Sequence, residues 1–177
     1  ICNLALDILH EGPFSNVDTD DTANSRWFVR NYEVTRDAEV RKHVWNFAKK
    51  RATLTVDGTA PTFGWSYRYA VPTDCLRLLK LRYDGEFENP SITHEVEAGY
   101  ILCDQEASLK ILYIFQITDT TKFDPNFVEA LAARLAMKAA HRFTGKQSMV
   151  QTAASFYADA IAEARLANAI EGTPERA

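Results

Sequence analysis

The sequence predicts an α+β fold, a bundle of four to five helices with an antiparallel β sub-domain inserted into it. Three observations carry this expectation. Apolar residues recur at helical spacing near both ends of the 177-residue chain. Between those ends, large apolar side chains alternate with polar ones at period two. A content of 46% apolar and 25% charged residues suits a chain that buries a sizeable core. The expected division is 1–51 and 121–177 for the bundle and 52–120 for the inserted strands, as a single structural unit overall.

The first helix is expected over 1–10, where Leu4, Ile8 and Leu9 share a face and Glu11-Gly12-Pro13 stops it. Asp20, Asp21 and Thr22 suit the cap and first turn of a second helix, because acceptors and negative charge satisfy a helix start. That helix runs to about Tyr32. Thr35 and Asp37 are expected to cap a third, whose face is Val40, Val44, Phe47, Ala48 and Arg51, with Arg41, Lys42, Lys49 and Lys50 opposite.

The period then changes. Phe63, Trp65, Tyr67, Tyr69 and Val71 alternate with smaller or polar residues, which predicts a strand with one buried face, ended by Pro72. Leu79, Leu81 and Tyr83 predict a second strand, ended at Asp84-Gly85. Residues 92–96 are a short candidate, and Ala98-Gly99 bends into another at 100–103. The stretch 109–117 is apolar on both faces in its middle, so it belongs at the centre of the sheet.

Asp124-Pro125 is a helix start, an acidic cap followed by proline at the first helical position. Val128, Leu131, Ala132, Leu135 and Ala139 form its buried stripe, and Phe143 to Gly145 closes it with His141 and Arg142 in the last turn. A final long helix opens at Gln147 or Ser148 and ends near Glu171-Gly172. Its apolar side carries Val150, Ala153, Tyr157, Ala160, Ile161, Ala164 and Ala167.

Charge narrows the function classes. The net charge is −4, the wrong sign for a protein that grips nucleic acid mainly through phosphate neutralisation. Residues 51–120 hold ten acids against six bases, so the middle block carries an excess equal to the whole net charge. Asp84, Glu86, Glu88, Glu95, Glu97, Asp104 and Glu106 follow one another with no Lys or Arg among them. They read either as a solvated hairpin protected against edge-to-edge pairing, or as a surface that must not adhere to a passing polyanion. No apolar run is long enough to span a bilayer, and no signal-peptide pattern opens the chain. It begins at Ile1 and not Met, which leaves room for residues upstream.

Motifs that carry chemistry are absent from the sequence. There is no phosphate-cradling glycine loop, no HExxH and no GxSxG. Cys2, Cys75 and Cys103 have no CxxC spacing and read as buried free thiols. Asp18, Asp20 and Asp21 lack the glycine and distal glutamate of a calcium loop. His94 and Glu95, if both lie in a strand, face opposite ways. His10, His43 and His141 read as surface or cap groups. The expectation is a non-enzymatic protein with no catalytic, cofactor-binding or metal-binding residue and no cofactor.

One combination of residues is more specific. Trp45-Asn46-Phe47-Ala48-Lys49-Lys50-Arg51-Ala52 ends a helix and is followed by an aromatic strand with Trp65, Tyr67 and Tyr69. The strand enters a Tyr-x-x-Pro-x-Asp-x-x-Arg turn, filled by Tyr69, Pro72, Asp74 and Arg77. In this pattern the chain resembles, over nearly its whole length, the tail tubular protein A family of tailed bacteriophages, the head-to-tail adaptors of short-tailed phages.

The resemblance implies a structural virion protein at the head-to-tail junction, assembled in the host cytoplasm. Copies would form a homo-oligomeric ring, usually of twelve, beneath the portal protein. The ring would join the portal to a tail nozzle protein similar to tail tubular protein B and surround the channel for double-stranded DNA. The bundle would make the subunit contacts, the C-terminal segment would dock on the portal, and the β portion would meet the nozzle. No membrane is expected. From the residues alone, Asp74 either pairs with Arg77 to hold the turn or both are exposed turn charges. Two other classes remain open at this stage, a tail-associated peptidoglycan hydrolase needing an acidic pair in a cleft, and a helical DNA-binding regulator.

Overall fold

A computed structural model of the chain describes residues 1–82, 92–106 and 108–172. Among these residues it has four α-helices and two three-stranded antiparallel sheets, an α+β architecture. The helices are α1 (Cys2–Ile8), α2 (Ala23–Lys42), α3 (Pro125–Thr144) and α4 (Gln147–Glu171). The strands are β1 (Lys49–Leu54), β2 (Tyr67–Ala70), β3 (Cys75–Arg82), β4 (Glu95–Glu97), β5 (Tyr100–Cys103) and β6 (Leu109–Phe115). The chain divides into two compact units, one of Ile1–Phe47 with Ile117–Ala177, the other of Ala48–Gln116.

In the helical unit α3 is the hub, packed against α1, α2 and α4. Its start is set by Asp124, whose side chain accepts from the backbone N–H of Asn126 and Phe127 while Pro125 opens the first turn. Its end is Gly145 in the left-handed region at φ 64°, a conformation glycine adopts without a Cβ clash. Ala130, Ala132, Ala133, Ala136, Ala139 and Ala140 are all buried along α3. Small side chains there let the neighbouring helices approach closely. Thr22 caps α2 through a reciprocal box with Ser25.

The helix starting at 23 differs from expectation by running unbroken to Lys42. Thr35 and Asp37 start no new turn, because each side chain is engaged elsewhere, Thr35 with α3 and Asp37 with its neighbour in α2. Thr35 accepts from Lys138 Nζ at 2.8 Å, and Asp37 accepts from Arg36 Nε at 2.8 Å. The expected helical face through Val44, Phe47 and Arg51 does not form. His43 is extended at φ −123° and ψ 162°, and the indole N–H of Trp45 turns back to the Glu39 carbonyl, closing the end of α2. Lys49, Lys50 and Arg51 are then drawn into β1 by pairing with β6, a case of ladder formation overriding helix propensity.

The strand unit is two sheets, ordered β1-β6-β3 and β2-β5-β4. Central placement of 109–117 holds: β6 lies between β1 and β3, antiparallel to both. One cluster joins the inner faces of the two sheets, with Leu81, Leu109, Ile111 and Tyr113 from the first and Tyr69, Ile101 and Cys103 from the second. The β4–β5 hairpin turns on Ala98 and Gly99, both at positive φ. The strand expected over 63–71 shrinks to Tyr67–Ala70. Gly64 sits at φ 85° and breaks the extended run, leaving Phe63 86% exposed. The second expected strand begins earlier, at Cys75, and carries two bulges. Tyr83 and the Asp84-Gly85 stop lie outside the described residues. The three thiols are free, and Cys2 and Cys75 are half-buried where full burial was expected.

Candidate functional site

The Tyr69–Arg77 stretch carries the chain from the second sheet into the first. Tyr69 is fully buried in the inter-sheet core, and its phenol O–H donates to the Gln105 carbonyl. The Pro72 carbonyl accepts from the Cys75 N–H at 2.9 Å, which makes the tight turn. The Asp74 carbonyl accepts from the Gln116 N–H at 2.7 Å, tying that turn to the end of β6. Tyr69, Pro72 and Asp74 of the motif therefore have scaffold roles.

The Asp74 carboxylate gathers two donors. Lys50 Nζ lies 2.7 Å from Oδ2, and the Tyr113 hydroxyl donates to Oδ1 at 3.0 Å. The hydrogen bond from Lys50 is the main reason that the carboxyl sits below the ordinary aspartate value, with Tyr113 contributing next among the favourable bonds. Tyr113, almost fully buried, is pushed up by burial and then by its bond to Asp74. Asp74 thus holds β1 and β6 through Lys50 and Tyr113, where the sequence left open a pair with Arg77 or an exposed turn charge.

The acidic run is only partly described, since Asp84, Glu86 and Glu88 lie outside the described residues. Of the rest, Glu95, Glu97, Asp104 and Glu106 are exposed. Three of these four contact consecutive residues 65–67. Trp65 Nε1 donates to Glu95 at 3.3 Å, Ser66 donates to Asp104 through both its N–H and its hydroxyl at 2.9 Å, and the Glu106 charge pushes the Tyr67 phenol up. These carboxylates fasten the segment leading into β2. His94 precedes β4 in irregular structure, where its Nδ1 meets the Ile92 carbonyl at 2.7 Å.

Trp45 belongs to the helical unit. Its ring is fully buried against Phe127, with centroids 5.0 Å apart, and stacks on Phe47 at 5.9 Å. The other motif residues, Trp65, Tyr67, Tyr69, Pro72, Asp74 and Arg77, belong to the strand unit.

Sequence reasoning missed a charged network inside the helical unit. Glu39, 1% exposed, accepts from the Tyr157 hydroxyl at 2.6 Å and pairs with Lys42 at 3.0 Å and Arg134 at 3.7 Å. Burial first, then the bond to Glu39, pushes Tyr157 up to about 12. The available signal was Glu39 recurring at the spacing of Phe28, Thr35 and Arg36, all of them buried positions of α2. A second missed feature is a basic face on the first sheet, around an open depression of about 390 Å³ lined by Arg51, Lys80, Arg82 and Lys110 among others.

Among the described residues, no group of three His, Cys, Asp or Glu side chains is placed to hold a metal ion, and no helix is long and apolar enough to cross a membrane. Compared with known proteins, the chain matches no family model and no curated protein.

Proposed function

We propose that this chain is a structural virion protein, a head-to-tail adaptor of the tail tubular protein A type. In this reading identical copies form a ring, of about twelve by the family resemblance, between the portal and the tail nozzle, around the DNA channel. The observation that carries it is the second apolar side of α4. Ala153, Ile161, Ala164 and Asn168 are its buried positions, while Phe156, Leu166 and Ile170 are 53%, 64% and 68% exposed. At roughly 100° per residue the two sets are centred about 140° apart around the helix. One side serves the fold of the single chain, and the other is available to a neighbour.

Two further features support the reading. The residues that carry the family resemblance act as scaffold, as an assembly protein requires, with Tyr69 and Trp45 fully buried and Asp74 fastening two strands. The acidic groups of the strand unit would also keep a DNA conduit from adhering to its cargo.

The test is assembly on the portal. The chain mixed with the portal protein of the same phage is expected to co-sediment as a ring visible by negative stain. Leu166→Glu with Ile170→Glu should abolish the ring while leaving the circular dichroism of the free chain unchanged. A wild-type chain that never joins the portal, or a double variant that assembles normally, would refute the reading.

A further inference from the structure

The second sheet has a cavity on the face turned away from the core. Tyr67 pairs with Cys103 and Tyr69 with Ile101 on the core side. The alternate pairs, Arg68 with Leu102 and Glu95, and Ala70 with Tyr100 and Glu97, therefore point outward. Residues 59–65 and these outward side chains enclose about 410 Å³, a volume in the range of small-molecule sites. Arg68 sits over the Tyr100 ring, 4.5 Å from its centroid, and Asp57 tethers its Nη2 at 3.0 Å. Its Nε is enclosed with no hydrogen-bond partner. A buried donor left unpaired is unfavourable, and an apolar residue would pack on Tyr100 without it. What the position gains is a fixed guanidinium with more N–H donors than Asp57 uses. Glu97 is exposed and has no partner among the described residues. Trp65 is half-buried in the wall, held by its N–H to Glu95 at 3.3 Å, and Phe63 beside it is exposed.

We propose that this cavity binds a neutral oligosaccharide. The groups that line it select among ligand classes. An anion would meet Glu95 and Glu97, while Asp57 already offsets Arg68. An ammonium group would lie beside the Arg68 guanidinium, and a wholly apolar ligand would leave both Arg68 and Glu97 unmatched. An extended peptide gains most by pairing with a strand edge, whereas this cavity lies on the face of the sheet and offers side chains. A sugar answers each group. Its hydroxyls donate to Glu97 and accept from Arg68, and its C–H faces lie against aromatic rings whose own faces are negative. Being uncharged, such a ligand is compatible with acidic groups that repel a polyanion. The site lies wholly within the strand unit and stands whichever assembly the chain belongs to.

The test is nuclear magnetic resonance of the indole N–H groups of the full chain, titrated with maltotetraose, cellotetraose and N-acetylchitotetraose. Trp65 is the one tryptophan of the strand unit, so Trp27 and Trp45 report on folding of the helical unit in the same spectrum. At least one sugar should shift the Trp65 signal saturably, with a Kd of about a millimolar, and leave the other two in place. Glu97→Ala and Phe63→Ala, both at exposed positions, should each weaken that binding, the first roughly tenfold, whereas Lys49→Ala on β1 should not change it. No Trp65 shift with any of the three at about 10 mM, far above such a Kd, would overturn the proposal in the wild type alone. Wild-type affinity in both cavity variants would also overturn it. So would a Trp65 shift with tetramethylammonium or a proline-rich decapeptide but none with a sugar, which would assign the cavity to a cation or a protein segment.

Discussion

Asn46 and Asn168, 122 positions apart, clasp each other through both backbone and side chain. The Asn46 N–H donates to Asn168 Oδ1 at 2.7 Å, and Asn46 Nδ2 donates to the Asn168 carbonyl at 2.8 Å. Asn168 Nδ2 also donates to the Val44 carbonyl at 3.0 Å. One side chain on α4 therefore satisfies two backbone groups in the bend that follows α2. Asn168→Ala leaves both without that partner, and the expected loss is about 2 kcal/mol or more, a Tm decrease of roughly 4–8 °C. Asn168→Asp, which keeps the acceptor and removes the donor, should lie between. Thermal unfolding monitored by circular dichroism makes the comparison.

The pair of half-buried Tyr157 and buried Glu39 predicts an alkaline limit to stability. Tyr157 is held protonated up to about 12, while the same phenol in the unfolded chain ionises near its ordinary value of 10. Between those values the folded chain binds the extra proton, so stability falls as pH rises. Its contribution is complete below pH 10. Tyr157→Phe should flatten this alkaline slope, and at neutral pH it should lower stability by about 1–3 kcal/mol, because buried Glu39 loses a donor. Urea midpoints of both proteins at pH 7, 9, 10 and 11 are the measurement.

Asp74 gives the opposite pH dependence. Its carboxyl is depressed below 3.8, chiefly by Lys50. The stability it contributes is present above the unfolded aspartate value and is lost as pH falls through the lower folded value. Asp74→Asn should leave a chain whose acid unfolding below about pH 4 is less steep than wild type. Tyr113→Phe, which removes one donor from the core side, should cost about 1 kcal/mol at pH 7. Acid titrations followed by tryptophan fluorescence read both.

Trp45 has two roles that substitution separates. Trp45→Phe keeps an aromatic ring against Phe127 but removes the N–H that closes α2 at the Glu39 carbonyl, 3.2 Å away. A loss of about 1 kcal/mol is expected. Trp45→Ala also empties a fully buried site, and about 3–5 kcal/mol should be lost. Chemical denaturation distinguishes the two magnitudes.

Legibility in the sequence followed how local each determinant was. The start of α3 at Asp124-Pro125, its end at Gly145 and the central strand β6 rest on neighbouring residues, and they are where the pattern put them. The end of α2 rests on Asn168 and on the fold-back of Trp45, long-range or tertiary contacts that no window around residue 43 contains. Lys49-Lys50-Arg51 favours helix locally, and only pairing with β6 makes it a strand. The aromatic alternation from Phe63 to Val71 was visible, but the left-handed Gly64 that truncates it was read as one more small residue. The basic face escaped notice for a related reason. Its cations come from three strands separated in sequence, and one of those strands had been assigned to a helix.

The central claim is that many copies of this chain surround the DNA channel at one vertex of a particle. Electron cryomicroscopy of intact phage particles encoding the chain, reconstructed without imposed icosahedral symmetry, tests it most directly. The account predicts a closed ring between portal and nozzle, into whose repeating density both the four-helix unit and the two-sheet unit fit, with the Leu166 side of α4 against the adjacent copy. Purified particles that lack the chain, or density that contains it as a single copy away from that vertex, would contradict the account.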